Sequence, residues 1–129
     1  MKHVVDSSAW LEFFADGPNA EAFLEPLSSP EQLIVPTITL YEVSKVVQRQ
    51  RGRDAAIQVL AVMQQGREVS LDAPLAIQAA ALGLELGLPM ADSIILATAR
   101  AHGATLWTQD EDFRDLDGVR YFPKPAGKP

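Results

Sequence analysis

Cysteine is absent from the 129 residues, which excludes disulfides and thiolate metal ligation. Histidine is almost absent too, and the separation of His3 and His102 fits no zinc-binding spacing. No apolar run reaches the roughly 20 residues of a membrane-spanning helix. The opening Met-Lys-His leads directly into Val-Val-Asp, without the long apolar region of a secretory signal. No internal repeat occurs, and no stretch rich in Pro, Gly or Ser divides the chain. With 47% hydrophobic residues, the expectation is one domain over residues 1–122 with one core, soluble and cytoplasmic. The remaining segment, Pro123–Pro129, has no apolar periodicity and is expected to be disordered.

Positive charge is also scarce. Eleven basic residues stand against seventeen acidic ones, for a net charge of −6, which at first argues against a nucleic-acid partner. If four of those acids held divalent cations, the balance left by the others would be −2. Lys45, Arg49, Arg51 and Arg53 fall within nine residues that contain no acid. They form either a solvated helix face or a strip that meets phosphates next to Glu42.

What is present is an alternation of short strands and helices. Strands are expected at 2–5, 33–35, 68–71, 105–107 and 119–122. Helices are expected at 8–15, 19–27, 38–50, 53–65, 74–86 and 90–102. Gly17-Pro18, Gly52, Gly66, Gly87 and Gly103 close five of these helices. The pattern predicts right-handed crossovers, a central parallel sheet and a three-layer α/β/α sandwich. The ligand crevice of such a sheet lies beyond the carboxyl ends of its strands, where strand order reverses.

Four acids occupy positions suited to that crevice. Asp6 ends the first strand, and the alternative reading is a helix N-cap worth about 1 kcal/mol. Glu42 lies early in a helix. Thr39-Leu40-Tyr41-Glu42 has capping-box spacing if that helix begins near Thr39, whereas a start at Thr37 frees Glu42 for chemistry. Asp92 shares a helical face with Ile95, Leu96 and Ala99, so its carboxylate points toward the packed side. The first-turn dipole contributes about 0.3–1 kcal/mol there, small against several kcal/mol for desolvating an ion. Asp110 follows the fourth strand, with Asp112 in support and Phe113 as an anchor. Carboxylates gathered this way suit Mg²⁺ or Mn²⁺, hard ions that prefer oxygen ligands. Such ions activate water and neutralise charge on a phosphodiester. Ser8 and Thr108 are candidates to orient the ligands from behind.

The segments VVDSSAW, PTITLYEV and MADSIILATARAHGATLWTQDEDF together resemble the PIN-domain family, within it the VapC-type ribonuclease toxins. The similarity runs from residue 2 to about 122. It implies that Asp6, Glu42, Asp92 and Asp110 bind Mg²⁺ or Mn²⁺, with Asp112 an accessory acid and Thr108 a polar neighbour. It also implies an RNA substrate, a homodimer and a VapB-type antitoxin partner. Lys45, Arg49 and Arg51 would then steer the RNA backbone. A haloacid-dehalogenase-type phosphatase needs a second Asp two residues after the first, where this chain has Ser8. A response-regulator receiver needs tandem acids near the first strand, which are missing here. The reading from another class is a module that holds a cation for structure and docks RNA or a protein without cutting. Trp10, Phe13 and Phe14, at helical spacing, are expected in the core, and His102 at a helix C-terminus.

Overall fold

Single-residue alternation along very short strands decides which side chains face which layer. A computed structural model describes residues 1–125. Its elements are β1 (His3–Val5), α1 (Ser7–Phe14), a 3₁₀ turn (Ala20–Phe23), α2 (Leu24–Leu27), β2 (Leu33–Pro36), α3 (Thr37–Arg51), α4 (Arg53–Met63), β3 (Arg67–Val69), α5 (Ala73–Leu86), α6 (Met90–Ala101), β4 (Thr105–Thr108) and β5 (Val119–Tyr121). Val5, Leu33, Val35 and Trp107 point to one side of the sheet, where they pack with Trp10, Phe23, Val43, Val47 and Met63. Val4, Ile34 and Leu106 point to the other, against Ile95, Leu96, Ala99 and Phe113. Helices α1, α3 and α4 therefore cover one face, and α5 and α6 the other. This is the three-layer sandwich expected from the sequence.

All pairings are parallel, in the order β3-β2-β1-β4-β5. The chain winds outward from β1 through β2 to β3, then returns to the other side of β1 for β4 and β5. Strand order thus reverses between β1 and β4, whose register matches Val5 with Trp107. The backbone N–H of Asp6 donates to the Trp107 carbonyl at 3.1 Å, continuing the ladder to the threshold of the crevice. Below it, the Trp107 indole N–H donates to His3 Nδ1 at 3.0 Å. Burial pushes the His3 pKa down, so the imidazole is neutral and accepts this bond through its unprotonated nitrogen.

Two boundaries differ from expectation for identifiable reasons. The segment 19–27 is a 3₁₀ turn followed by a separate short helix. Pro26 has no N–H to bond four residues back, and its ring would crowd the Ala22 carbonyl, so it is accommodated only in a first turn and the helix starts afresh at Leu24. Helix α3 begins at Thr37, with Pro36 as its N-cap. Thr39 is fully buried and its hydroxyl donates to the Pro36 carbonyl at 2.7 Å, so the capping box with Glu42 does not form. At the far end of the chain, Asn19 Nδ2 donates to the Pro123 carbonyl at 3.1 Å. Residues 126–129, the rest of the segment expected to be disordered, lie outside the described residues. No single helix among the described residues is long and apolar enough to cross a membrane.

Gly66 sets the approach of α4 to the sheet. A Cβ there would lie 2.8 Å from Val35 Cγ2 and 2.9 Å from the Leu33 carbonyl oxygen. Backbone on one side leaves no room for relief. Gly66→Ala is expected to destabilise the fold by about 1–3 kcal/mol, seen as a lower urea midpoint with an unchanged m-value.

Candidate active site

Each carboxylate at the mouth between β1 and β4 is placed by its own piece of local structure. Asp6 leaves β1 in an extended conformation and caps α1, so the N-cap reading of it holds. Its Oδ1 accepts from the Ala9 N–H at 3.0 Å and from Ser8 Oγ at 2.9 Å. Its Oδ2 accepts from Thr108 Oγ1 at 2.8 Å. Thr108 is fully buried, and its Oγ1 also accepts from the Asp110 N–H at 2.8 Å. One hydroxyl thereby ties the end of β1 to the end of β4. Asp110 then caps the turn Glu111–Phe113, its Oδ1 accepting from the Asp112 N–H at 2.9 Å, while Phe113 anchors that turn in the core.

Because α3 starts at Thr37, Glu42 projects from the second turn. Its Oε1 accepts from Ser7 Oγ at 2.6 Å. Ser7 was not singled out in the sequence. It bridges 35 residues, and no local pattern announces such a contact. Asp92 lies in the first turn of α6, on the face that packs inward, and no donor reaches it among the described residues. Carboxylate oxygens of Asp92, Asp110 and Asp112 lie within 4.8 Å of one another.

The electrostatics follow from that crowding. The Asp92 pKa is raised to about 7, first by burial and then by repulsion from Asp110, Asp6, Asp112 and Glu42. The Asp6 pKa is raised to about 6, again chiefly by burial. Asp6 is almost completely enclosed, at 2% exposed, yet its pKa lies below that of half-buried Asp92. The difference is that Ala9, Thr108 and Ser8 all donate to Asp6 and favour its charged form. The salt bridges of the described residues, Arg114–Asp115 and Arg120–Glu25, involve none of these acids. Five carboxylates without a basic partner, several with oxygens left open, fit a hard divalent cation by charge and by donor type.

The basic strip divides. Lys45 is exposed, its ammonium 5.7 Å from the Tyr41 ring centre. Arg49 lies seven residues beyond Glu42, nearly in line with it along α3. Arg51, nine residues beyond Glu42, sits on the opposite side of α3 and lines a groove with Leu11, Phe14 and Val47. Trp10 is buried in the core and stacks on half-buried Phe14, as expected. His102 caps α6, with Nδ1 3.0 Å from the Thr98 carbonyl oxygen.

A family model described as PIN domain matches residues 3–119. A chain from a toxin–antitoxin complex of Klebsiella pneumoniae superposes with a TM-score of 0.79 and 25% identity, over 92% of this chain and 96% of that one. A chain of VapBC2 from Rickettsia felis, bound to a DNA fragment from the pair's promoter, gives 0.74 and 17%, over 95% and 99%. The sarcin-ricin loop cleaving toxin VapC20 of Mycobacterium tuberculosis gives 0.71 and 22%, over 87% and 92%. No curated protein sequence matches the chain.

Both raised pKa values make the folded protein hold protons that the unfolded chain has already released above about pH 4. In EDTA, stability therefore falls as pH rises from about 4 to about 7 and is level beyond. Asp92→Asn is expected to flatten this slope and to raise the melting temperature at pH 8 by about 5 °C. Scanning calorimetry at pH 5 and pH 8 checks this, and a large loss of stability in the variant would mark Asp92 as structural.

Proposed function

The chain belongs to the PIN-domain family, and from that membership we propose that it is a Mg²⁺- or Mn²⁺-dependent endoribonuclease, the toxin of a toxin–antitoxin pair. The observation that carries this reading is the convergence of Asp92, Asp110 and Asp112 within 4.8 Å, beside Asp6 and Glu42 and without a basic partner. Asp6, Glu42, Asp92 and Asp110 are the ligands in this reading, with Asp112 as support. A bound divalent ion supplies Lewis-acid polarisation of the phosphodiester and an activated water.

The protein's own part is positioning. Thr108 holds Asp6 and the Asp110 backbone in fixed relation, and Ser7 holds Glu42, so the ligands need little rearrangement to receive an ion. Ser8 and the Ala9 N–H hold Asp6 Oδ1 toward α1, and Thr108 holds Oδ2 toward the end of β4. Asp92 accepts no hydrogen bond among the described residues, so both of its oxygens remain available. Lys45 and Arg49, along the Glu42 side of α3, guide the RNA backbone, whereas Arg51 on the opposite side does not share that task. The likeness to a chain of the Klebsiella toxin–antitoxin complex supports an antitoxin as partner, in this reading one of the VapB type. Exposed Ile77, Leu84 and Met90 support a homodimer, since large apolar side chains favour being covered. The lack of cysteine supports a cytoplasmic home.

Purified protein should cut single-stranded RNA with Mg²⁺ or Mn²⁺ and stop on adding EDTA. Asp6→Asn and Asp92→Asn should each lower kcat/KM at least about 100-fold. Thr108→Val and Ser7→Ala, which only orient ligands, should cost about 10–100-fold. Metal binding by calorimetry without cleavage of any RNA would favour the non-catalytic module instead.

A further inference from the structure

The carboxylate cluster opens sideways into a polar cavity of 530 Å³, within the about 300–1,000 Å³ typical of ligand sites. Asp110 and Asp112 belong to both the cluster and the cavity wall. The rest of the wall has a different chemistry. Tyr121, at the carboxyl end of β5, pairs in register with Thr108 and lines the cavity half-buried, its hydroxyl without a partner among the described residues. Gln109 is 7% exposed. Its Oε1 accepts from Asn19 Nδ2 at 3.1 Å, which fixes the amide. Its Nε2 has no protein partner among the described residues, and no buried side-chain nitrogen or oxygen there lacks one. The Nε2 donor is therefore reached by solvent, on a side chain that lines the cavity. Arg114 and Lys124 add two cations at the rim, and Arg114 is only loosely engaged by exposed Asp115 at 3.8 Å.

We propose that this cavity is a subsite for one unpaired ribonucleotide next to the scissile phosphate, its base on the Tyr121 ring, a base acceptor on Gln109 Nε2 and its phosphate on Lys124 and Arg114. The inference rests on the nuclease reading and deepens it. An aromatic face and a fixed amide donor suit a base, and cations at the rim suit a phosphate. The base has to be splayed out to reach the ring, so the subsite selects single-stranded or looped RNA over a continuous duplex. Asp110, Glu111 and Asp112 would repel that phosphate unless cations offset them. The nucleotide therefore enters the loaded site in preference to the empty one. This cavity lies at β4 and β5, so RNA crosses the crevice from the Glu42 side to the Tyr121 side.

The test uses the full chain and single-stranded oligoribonucleotides with 2-aminopurine at successive positions. Binding and cleavage are both followed in Mg²⁺ with Asp6 intact, binding by stopped flow ahead of cleavage and cleavage over longer times. Fluorescence should be quenched at one position beside the cut. Tyr121→Ala should abolish that quenching and lower kcat/KM about tenfold, whereas Tyr121→Trp should retain both. Lys124→Ala should reduce the salt dependence of binding by about one phosphate contact. Cleavage within twofold of wild type in Tyr121→Ala, or equal losses in the Ala and Trp variants, would overturn the subsite while the nuclease reading stands. Position-specific quenching lost in Tyr121→Ala, with no RNA cut by wild type, would keep the subsite and overturn the nuclease. RNA neither bound nor cut would overturn both.

Discussion

Repulsion among carboxylates at the mouth between β1 and β4 is the constraint to which the surrounding structure answers. Asp6, Glu42, Asp92, Asp110 and Asp112 come from four different stretches of chain, and each raises the energy of ionising Asp92 or is raised in turn. Left to themselves, such groups would separate or protonate. They are kept in place by bonds made to the groups around them: Thr108 between the two strand ends, Ser7 on Glu42, and the Ala9 amide on Asp6. The strands beneath supply rigidity. Val4 and Val5 are both fully buried, in opposite layers, so β1 cannot shift by a residue without exchanging its two faces.

Much of this was legible in the sequence because the signals were local. The alternation of short apolar strands with glycine-closed helices gave the layered sheet. Asp92 was informative because Ile95, Leu96 and Ala99 lie on its face, which places a charge toward the packed side. Asp6 announced itself by standing between a valine pair and a helix start. Glu42 remained open between a cap and a ligand, and that choice turned on whether α3 begins at Thr37 or Thr39, a two-residue difference beyond the resolution of pattern reading.

What the sequence hid is long-range or unshared. Ser7 reaching Glu42 and Asn19 fixing Gln109 join residues 35 and 90 positions apart, and neither serine nor asparagine carries a mark that names its partner. The break before Leu24 was readable from Pro26, since proline cannot continue a helix from the preceding turn, but the apolar residues around it pulled the expectation toward a single element. Arg51 was grouped with Lys45 and Arg49 by proximity in sequence. The helical period separates them, because Arg51 lies nine residues, or two and a half turns, beyond Glu42, and Arg49 only seven.

Asp6 and Asp92 differ in what else depends on them. Asp6 holds the start of α1 and meets three donors, while Asp92 touches no donor among the described residues. A gene copy released from selection for cutting would lose Asp92 at little penalty to folding, and stability would even improve as the crowding eased. Loss of Asp6 would loosen the first helix at the same moment. Among decayed descendants of this chain, the first acidic position should therefore outlast the third, and a surviving Asp6 is poor evidence that such a relic still works.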